Sequence, residues 1–70
     1  MLDLFGGKRI LVTGAAGTIG KVLVNKLLNM DVKEVKALDN NESELFYLNH
    51  EHYKEKRYNG FYADIREFDR

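Results

Sequence analysis

The chain has 70 residues, with eleven basic residues balancing eleven acidic ones and no cysteine. A chain of this size buries roughly 60% of its unfolded surface, so a core of its own is thin, and without cysteine neither a disulfide nor a thiolate metal site can reinforce it. The charge balance leaves no electrostatic footprint for nucleic acid or an anionic membrane.

No apolar run approaches the ~18 residues of a membrane span. Asp3 lies in the first five residues, where a signal peptide would carry basic charge. These features predict a soluble, cytoplasmic protein. The two histidines, His50 and His52, lie two apart in a helical stretch and would not share a face. No metal site is expected.

Met1 to Gly7 reads as a lead-in. Arg9-Ile10-Leu11-Val12-Thr13 is a compact apolar run bounded by glycines, the pattern of a buried parallel strand. Gly14 to Gly17 makes a tight turn. From Thr18 to about Asn29 the pattern is helical: Ile19, Leu23 and Leu27 recur every four residues, with Val22 and Met30 beside them. Lys21, Asn25, Lys26 and Asn29 fall on or near the opposite side. Glu34 to Leu38 reads as a second strand ending at Asp39. Asn41 followed by Glu44 resembles a capping box with Asn in the Ser/Thr place. A second helix is predicted over Glu42 to Lys56, with Leu45, Leu48 and His52 or Tyr53 inward. Phe61-Tyr62-Ala63 forms a third strand, entered through Tyr58-Asn59-Gly60.

This order, β-α-β-α-β, predicts an α/β fold with a three-stranded parallel sheet. Parallel crossovers are right-handed in about 98% of cases. With strand order 3-2-1, both helices then cover one face and leave the other bare. The first strand becomes an open edge. The expectation is self-association, most simply as a homodimer. Two first strands could pair antiparallel across a two-fold axis, or two bare faces could stack.

The informative segment is Gly14-Ala15-Ala16-Gly17-Thr18-Ile19-Gly20, placed between strand and helix. Gly14 would let the chain leave the strand in a tight turn. Gly17 would remove a side chain where backbone approaches a pyrophosphate. Gly20 would let the helix pack closely. The helix N-terminus presents unpaired N–H groups and about half a positive charge, which suits a phosphate. A plain glycine-rich turn is the alternative reading. Asp39 bears on that choice. It ends the second strand, 19 residues beyond Gly20. A carboxylate there accepts hydrogen bonds from the adenosine ribose hydroxyls and repels a 2′-phosphate. Loop and acid together favour a dinucleotide, and NAD over NADP. The alternative for Asp39 is a polar strand end or a helix cap.

Ile10 to Gly20 resembles the start of the extended short-chain dehydrogenases/reductases. Asp39-Asn40 with Ser43-Glu44, then Asp64-Ile65-Arg66, is similar to the capsular-polysaccharide group of NAD-dependent nucleotide-sugar dehydratases and epimerases. The similarity runs from about Lys8 to Asp69 and covers about the first quarter of a typical member. It implies a partial NAD-binding Rossmann domain over residues 1–70. It implies that Gly14, Ala16, Gly17, Thr18 and Ile19 surround the pyrophosphate, and that Asp39 and Asn40 hold the ribose. Asp64 and Ile65 would lie along the adenine, with Asp64 accepting from the exocyclic amine. By its own residues, without the resemblance, Asp64 reads as a solvated acid just past a strand.

The family's catalytic Tyr and Lys, four apart, fall beyond the matched span. Within this chain Tyr47 is followed four residues later by Glu51, Tyr53 by Arg57 and Tyr58 by Tyr62. No catalytic residue is assigned. Three classes remain open: a segment of a nucleotide-sugar enzyme, a stand-alone dimeric module that binds a dinucleotide, and an interaction protein in which the loop is a relic.

Overall fold

A computed structural model describes residues 6–63. Its elements are β1 (Arg9–Thr13), α1 (Thr18–Leu28), β2 (Glu34–Asp39), α2 (Glu42–Glu51) and β3 (Tyr58–Tyr62). The sheet has the order β1-β2-β3, and both pairings are parallel. This is the β-α-β-α-β half of a Rossmann unit that the alternation of elements predicts.

Side chains alternate across each strand. Val12, Val35, Ala37 and Tyr58 are buried and share one core with Val24 and Leu27 of α1 and Leu45 and Leu48 of α2. Both helices therefore lie on the same face of the sheet. Each buried Val or Leu side chain contributes about 1.5–3 kcal/mol. The neighbouring strand positions emerge on the other face, where Leu11 is 59% and Phe61 49% exposed.

The helical stripe of α1 differs from the one that hydrophobicity predicts. Val24 and Leu27 are buried, whereas Ile19, Val22 and Leu23 are exposed. Gly20 sets the rotation. A Cβ there would run into the carbonyl oxygen of Gly14 and the backbone of Ala15. The helix makes its closest approach at this glycine, and positions four and seven residues on follow it inward. A pattern that counts only large apolar residues gives Gly20 no weight.

The second helix ends at Glu51, not near Lys56, with His52 as its C-cap. His52 is half-buried, its ring 5.1 Å from that of Tyr58, whereas Tyr53 is exposed. The His52 Nε2 atom is buried and has no partner among the described residues. Beyond the helix the chain is pulled into line by Arg57. Its guanidinium donates to the carbonyls of Leu28 (2.6 Å), the last residue of α1, and Met30 (2.9 Å), two residues beyond, and to both carboxylate oxygens of Glu55. Carbonyls that the helix leaves without partners are thus satisfied by a side chain 29 residues away.

That anchor starts β3 early, at Tyr58 and not at Phe61. The Arg57 carbonyl accepts from Val35 N–H at 2.8 Å, and the Ala63 N–H still donates to Asp39 O at 2.9 Å. Gly60 is thus within the strand and not in its lead-in. Its missing side chain leaves room for the Tyr58 hydroxyl to donate to Asn49 Oδ1 at 2.6 Å. Burial, aided by the charge of Glu51, pushes the Tyr58 hydroxyl up to about 12.

The hydrogen bonds from Arg57 hold the Glu55 carboxyl down at about 2, from its usual 4.5. A carboxyl whose pKa is depressed by folding stabilises the fold fully above its unfolded pKa and loses that contribution as pH falls through the folded one. Urea midpoints of the natural chain and of Glu55→Gln should therefore differ most above pH 4.5. The gap should close as pH falls to about 2. A gap that does not vary with pH would show that the ionised pair contributes nothing.

Candidate functional site

The loop between β1 and α1 turns where the backbone demands it. Gly14 has φ +63°, a left-handed conformation that L side chains resist. The Gly17 N–H then donates to Gly14 O at 3.1 Å, closing the turn. Gly17 is the N-cap of α1 and offers no side chain to cap it, and no acidic residue lies in the first turn. The helix thus begins with free N–H donors and an uncompensated partial positive charge.

The second helix begins differently. Asn41 Oδ1 accepts from Glu44 N–H at 3.1 Å, and Glu42 and Glu44 lie in its first turn. One helix start is side-chain capped and acidic; the other is neither. Only the uncapped one suits an anion.

Asp39 joins the two. Its Oδ2 accepts from Ala16 N–H at 2.8 Å and its Oδ1 from Asn41 N–H at 2.9 Å. Ala16 is buried, so this carboxylate satisfies a loop donor that water does not reach. Asp39 ends β2 and binds the N–H of Asn41, which is itself the N-cap of α2. Each oxygen accepts one N–H in these contacts and retains a lone pair for a further donor.

Asp39 also occupies the donor that a capping box assigns to its acid. In such a box the Glu side chain would return to the Asn41 N–H. Here Glu44 instead reaches Lys21 Nζ on α1, at 3.1 Å. The predicted box is therefore only half formed.

These contacts enclose a cavity of about 290 Å³ lined by Ala16, Gly17, Thr18, Lys21, Asp39, Asn40, Asn41 and Glu44. Of the residues expected around a pyrophosphate and ribose, the fold gathers Ala16, Gly17, Thr18, Asp39 and Asn40. Gly14 shapes the turn and does not line the cavity. Ile19 is 84% exposed and points away from the core. Asp64 and Ile65 lie outside the described residues. Lys21, Asn41 and Glu44 are additions. Lys21 and Glu44 stand 23 apart in sequence, and no local pattern links them. Among the described residues no group of His, Cys, Asp and Glu could hold a metal ion.

The model of the polysaccharide biosynthesis protein family matches residues 10–70. The chain belongs to that family. An uncharacterized membrane protein of Methanocaldococcus jannaschii is 44% identical over 68 residues, which is 97% of this chain and 20% of that protein. The chain is similar to the crystal structure of Pen from Bacillus thuringiensis, with TM-score 0.86 and 32% identity over 96% of this chain and 21% of that one. A short-chain dehydrogenase/reductase of Burkholderia phymatum, solved in complex with NAD, shares the fold. Its TM-score is 0.77 at 21% identity, over 93% of this chain and 23% of that one. The chain thus spans about a fifth of the length of the relatives it matches. Among the described residues no helix is long and apolar enough to cross a membrane, although the M. jannaschii relative is described as a membrane protein.

The three loop glycines should respond differently to alanine. Gly20→Ala places its Cβ against backbone that cannot yield and should cost about 1–3 kcal/mol. Gly14→Ala meets no neighbour but must hold a positive φ, at about 1–2 kcal/mol. Gly17→Ala has its new Cβ 3.4 Å from Gly14 O and should cost the least of the three. Urea unfolding ranks them, and a Gly17→Ala loss equal to that of Gly20→Ala would contradict the packing described.

Proposed function

We propose that this chain binds the adenosine-pyrophosphate half of NAD, as the N-terminal segment of a nucleotide-sugar dehydratase or epimerase of polysaccharide biosynthesis. The observation that carries the reading is the hydrogen bond between Ala16 N–H and Asp39 Oδ2, which brings the uncapped start of α1 and an acid at the end of β2 into one cavity. An open helix start takes phosphate, and a carboxylate at that strand end takes ribose hydroxyls. Gly17 and Thr18 would face the pyrophosphate, and Asp39 and Asn40 the ribose. Gly14 and Ile19 would support the loop from outside the cavity. Asp64 and Ile65 would belong to the adenine side, as the family resemblance implies.

Asp39 also disfavours a 2′-phosphate, so NAD is preferred to NADP. The NAD in the Burkholderia phymatum relative and the family's link to polysaccharide biosynthesis agree with this reading. A cytoplasmic location belongs to it too. We assign no catalytic residue to the chain.

A second reading rests on the exposed apolar surface. Among the described residues, Leu11 and Phe61 project exposed from the sheet face opposite the helices, Ile19, Val22 and Leu23 are exposed on α1, and β1 pairs only with β2. Monomers seldom leave such surface open. The chain would then act as a dimeric module that binds a nucleotide or a protein without catalysis.

Calorimetric titration with NAD tests the first reading. Saturable binding should weaken by about 1–3 kcal/mol in Asp39→Ala, the cost of a lost charge-assisted hydrogen bond. Asp39→Asn keeps a carbonyl oxygen for one backbone donor and should fall between the two. No heat from a folded chain would refute the site. Sedimentation tests the second reading. A dimer at micromolar concentration that Leu11→Lys dissociates would support it, and a stable folded monomer would dismiss it.

A further inference from the structure

We propose that Glu44 is a specificity-determining residue of this cavity: by holding the Lys21 ammonium, it denies a 2′-phosphate the cation it would need. The inference rests on the reading of the cavity as a dinucleotide site and deepens it.

The argument begins with a displaced contact. The Asn41 N–H that Glu44 would take in a complete capping box is already bound by Asp39 Oδ1 at 2.9 Å. The Glu44 carboxylate is therefore free to cross from α2 to α1, where it meets Lys21 Nζ at 3.1 Å. The helix cap itself does not suffer, because Asn41 Oδ1 accepts from the backbone of Glu44 and not from its side chain.

The consequence is electrostatic. Lys21 is the one cation among the described residues that line the cavity, and Asp39 and Glu44 are its two anions. A 2′-phosphate carries nearly two negative charges. It would meet two carboxylates and an ammonium already paired. The ribose hydroxyls of NAD are neutral donors and need only the lone pairs that Asp39 retains. Asp39 is partly occupied by two backbone donors, so the Lys21–Glu44 pair adds a second barrier. The side chains of Lys21 and Glu44 are 39% and 45% exposed. A pair so open contributes little to stability. It can be broken without unfolding the chain, and its effect falls on the ligand.

The test is calorimetric titration of NAD and NADP into the natural chain, Glu44→Gln and the double variant Lys21→Gln/Glu44→Gln. Glu44→Gln removes one repelling charge and frees Lys21. It should raise the affinity for NADP relative to NAD by about tenfold. The double variant should lose most of that gain. Circular dichroism should show the helices unchanged, since the cap persists. If the natural chain binds NAD and Glu44→Gln leaves the ratio unmoved, this proposal alone fails. A double variant that keeps the full gain would overturn the role of Lys21. If the natural chain binds neither dinucleotide, the proposed function falls and this inference falls with it.

Discussion

Two hydrogen bonds to one carboxylate hold the working end of this molecule together. Asp39 accepts from Ala16 N–H on one side and from Asn41 N–H on the other. The first bond ties the glycine loop to β2. The second draws the start of α2 against the same strand end. Without that carboxylate the buried Ala16 N–H would lack its acceptor, and the capping contacts of α2 would have to rearrange. The chemistry offered to a ligand and the geometry of the loop thus depend on the same atoms. Perturbing Asp39 tests both, and a stability measurement must accompany any binding measurement.

Glycine achieves at α1 what the carboxylate achieves at β2. Gly20 lets the helix sit on the loop backbone, and that contact sets both the rotation of the helix and the aim of its free N–H groups. The core follows from it: Val24 and Leu27 turn inward, while Ile19, Val22 and Leu23 turn outward. The exposed row on α1 therefore results from the same close approach that packs the helix on the glycine loop. Arg57 does comparable work at the other end of the sheet, where it holds the C-terminal end of α1 and the entry to β3 with one guanidinium.

A three-stranded sheet covered on one face is a thin structure for its length. Among the described residues its apolar surplus lies on the sheet face opposite the helices and along α1.

The sequence by itself determined the element order, the parallel sheet, the glycine loop and the acid at the end of β2. Each of these is written in local spacing. The apolar run at residues 9–13, the three glycines at intervals of three and the Asn41 cap all act on near neighbours in the chain. Tertiary structure alone decided the rest. The inward face of α1 depends on a glycine contact that hydrophobic periodicity does not weigh. The end of α2 depends on Arg57 reaching carbonyls of another helix, and the strand role of Gly60 on an Asn49–Tyr58 hydrogen bond. The Lys21–Glu44 pair forms because Asp39 has taken the donor that Glu44 would otherwise hold. The Arg57–Leu28, Tyr58–Asn49 and Lys21–Glu44 contacts join residues 29, 9 and 23 apart, created only when the sheet brings them together; the Gly20 contact with Gly14 and Ala15 is nearer in the chain but acts through backbone packing that hydrophobic periodicity does not count.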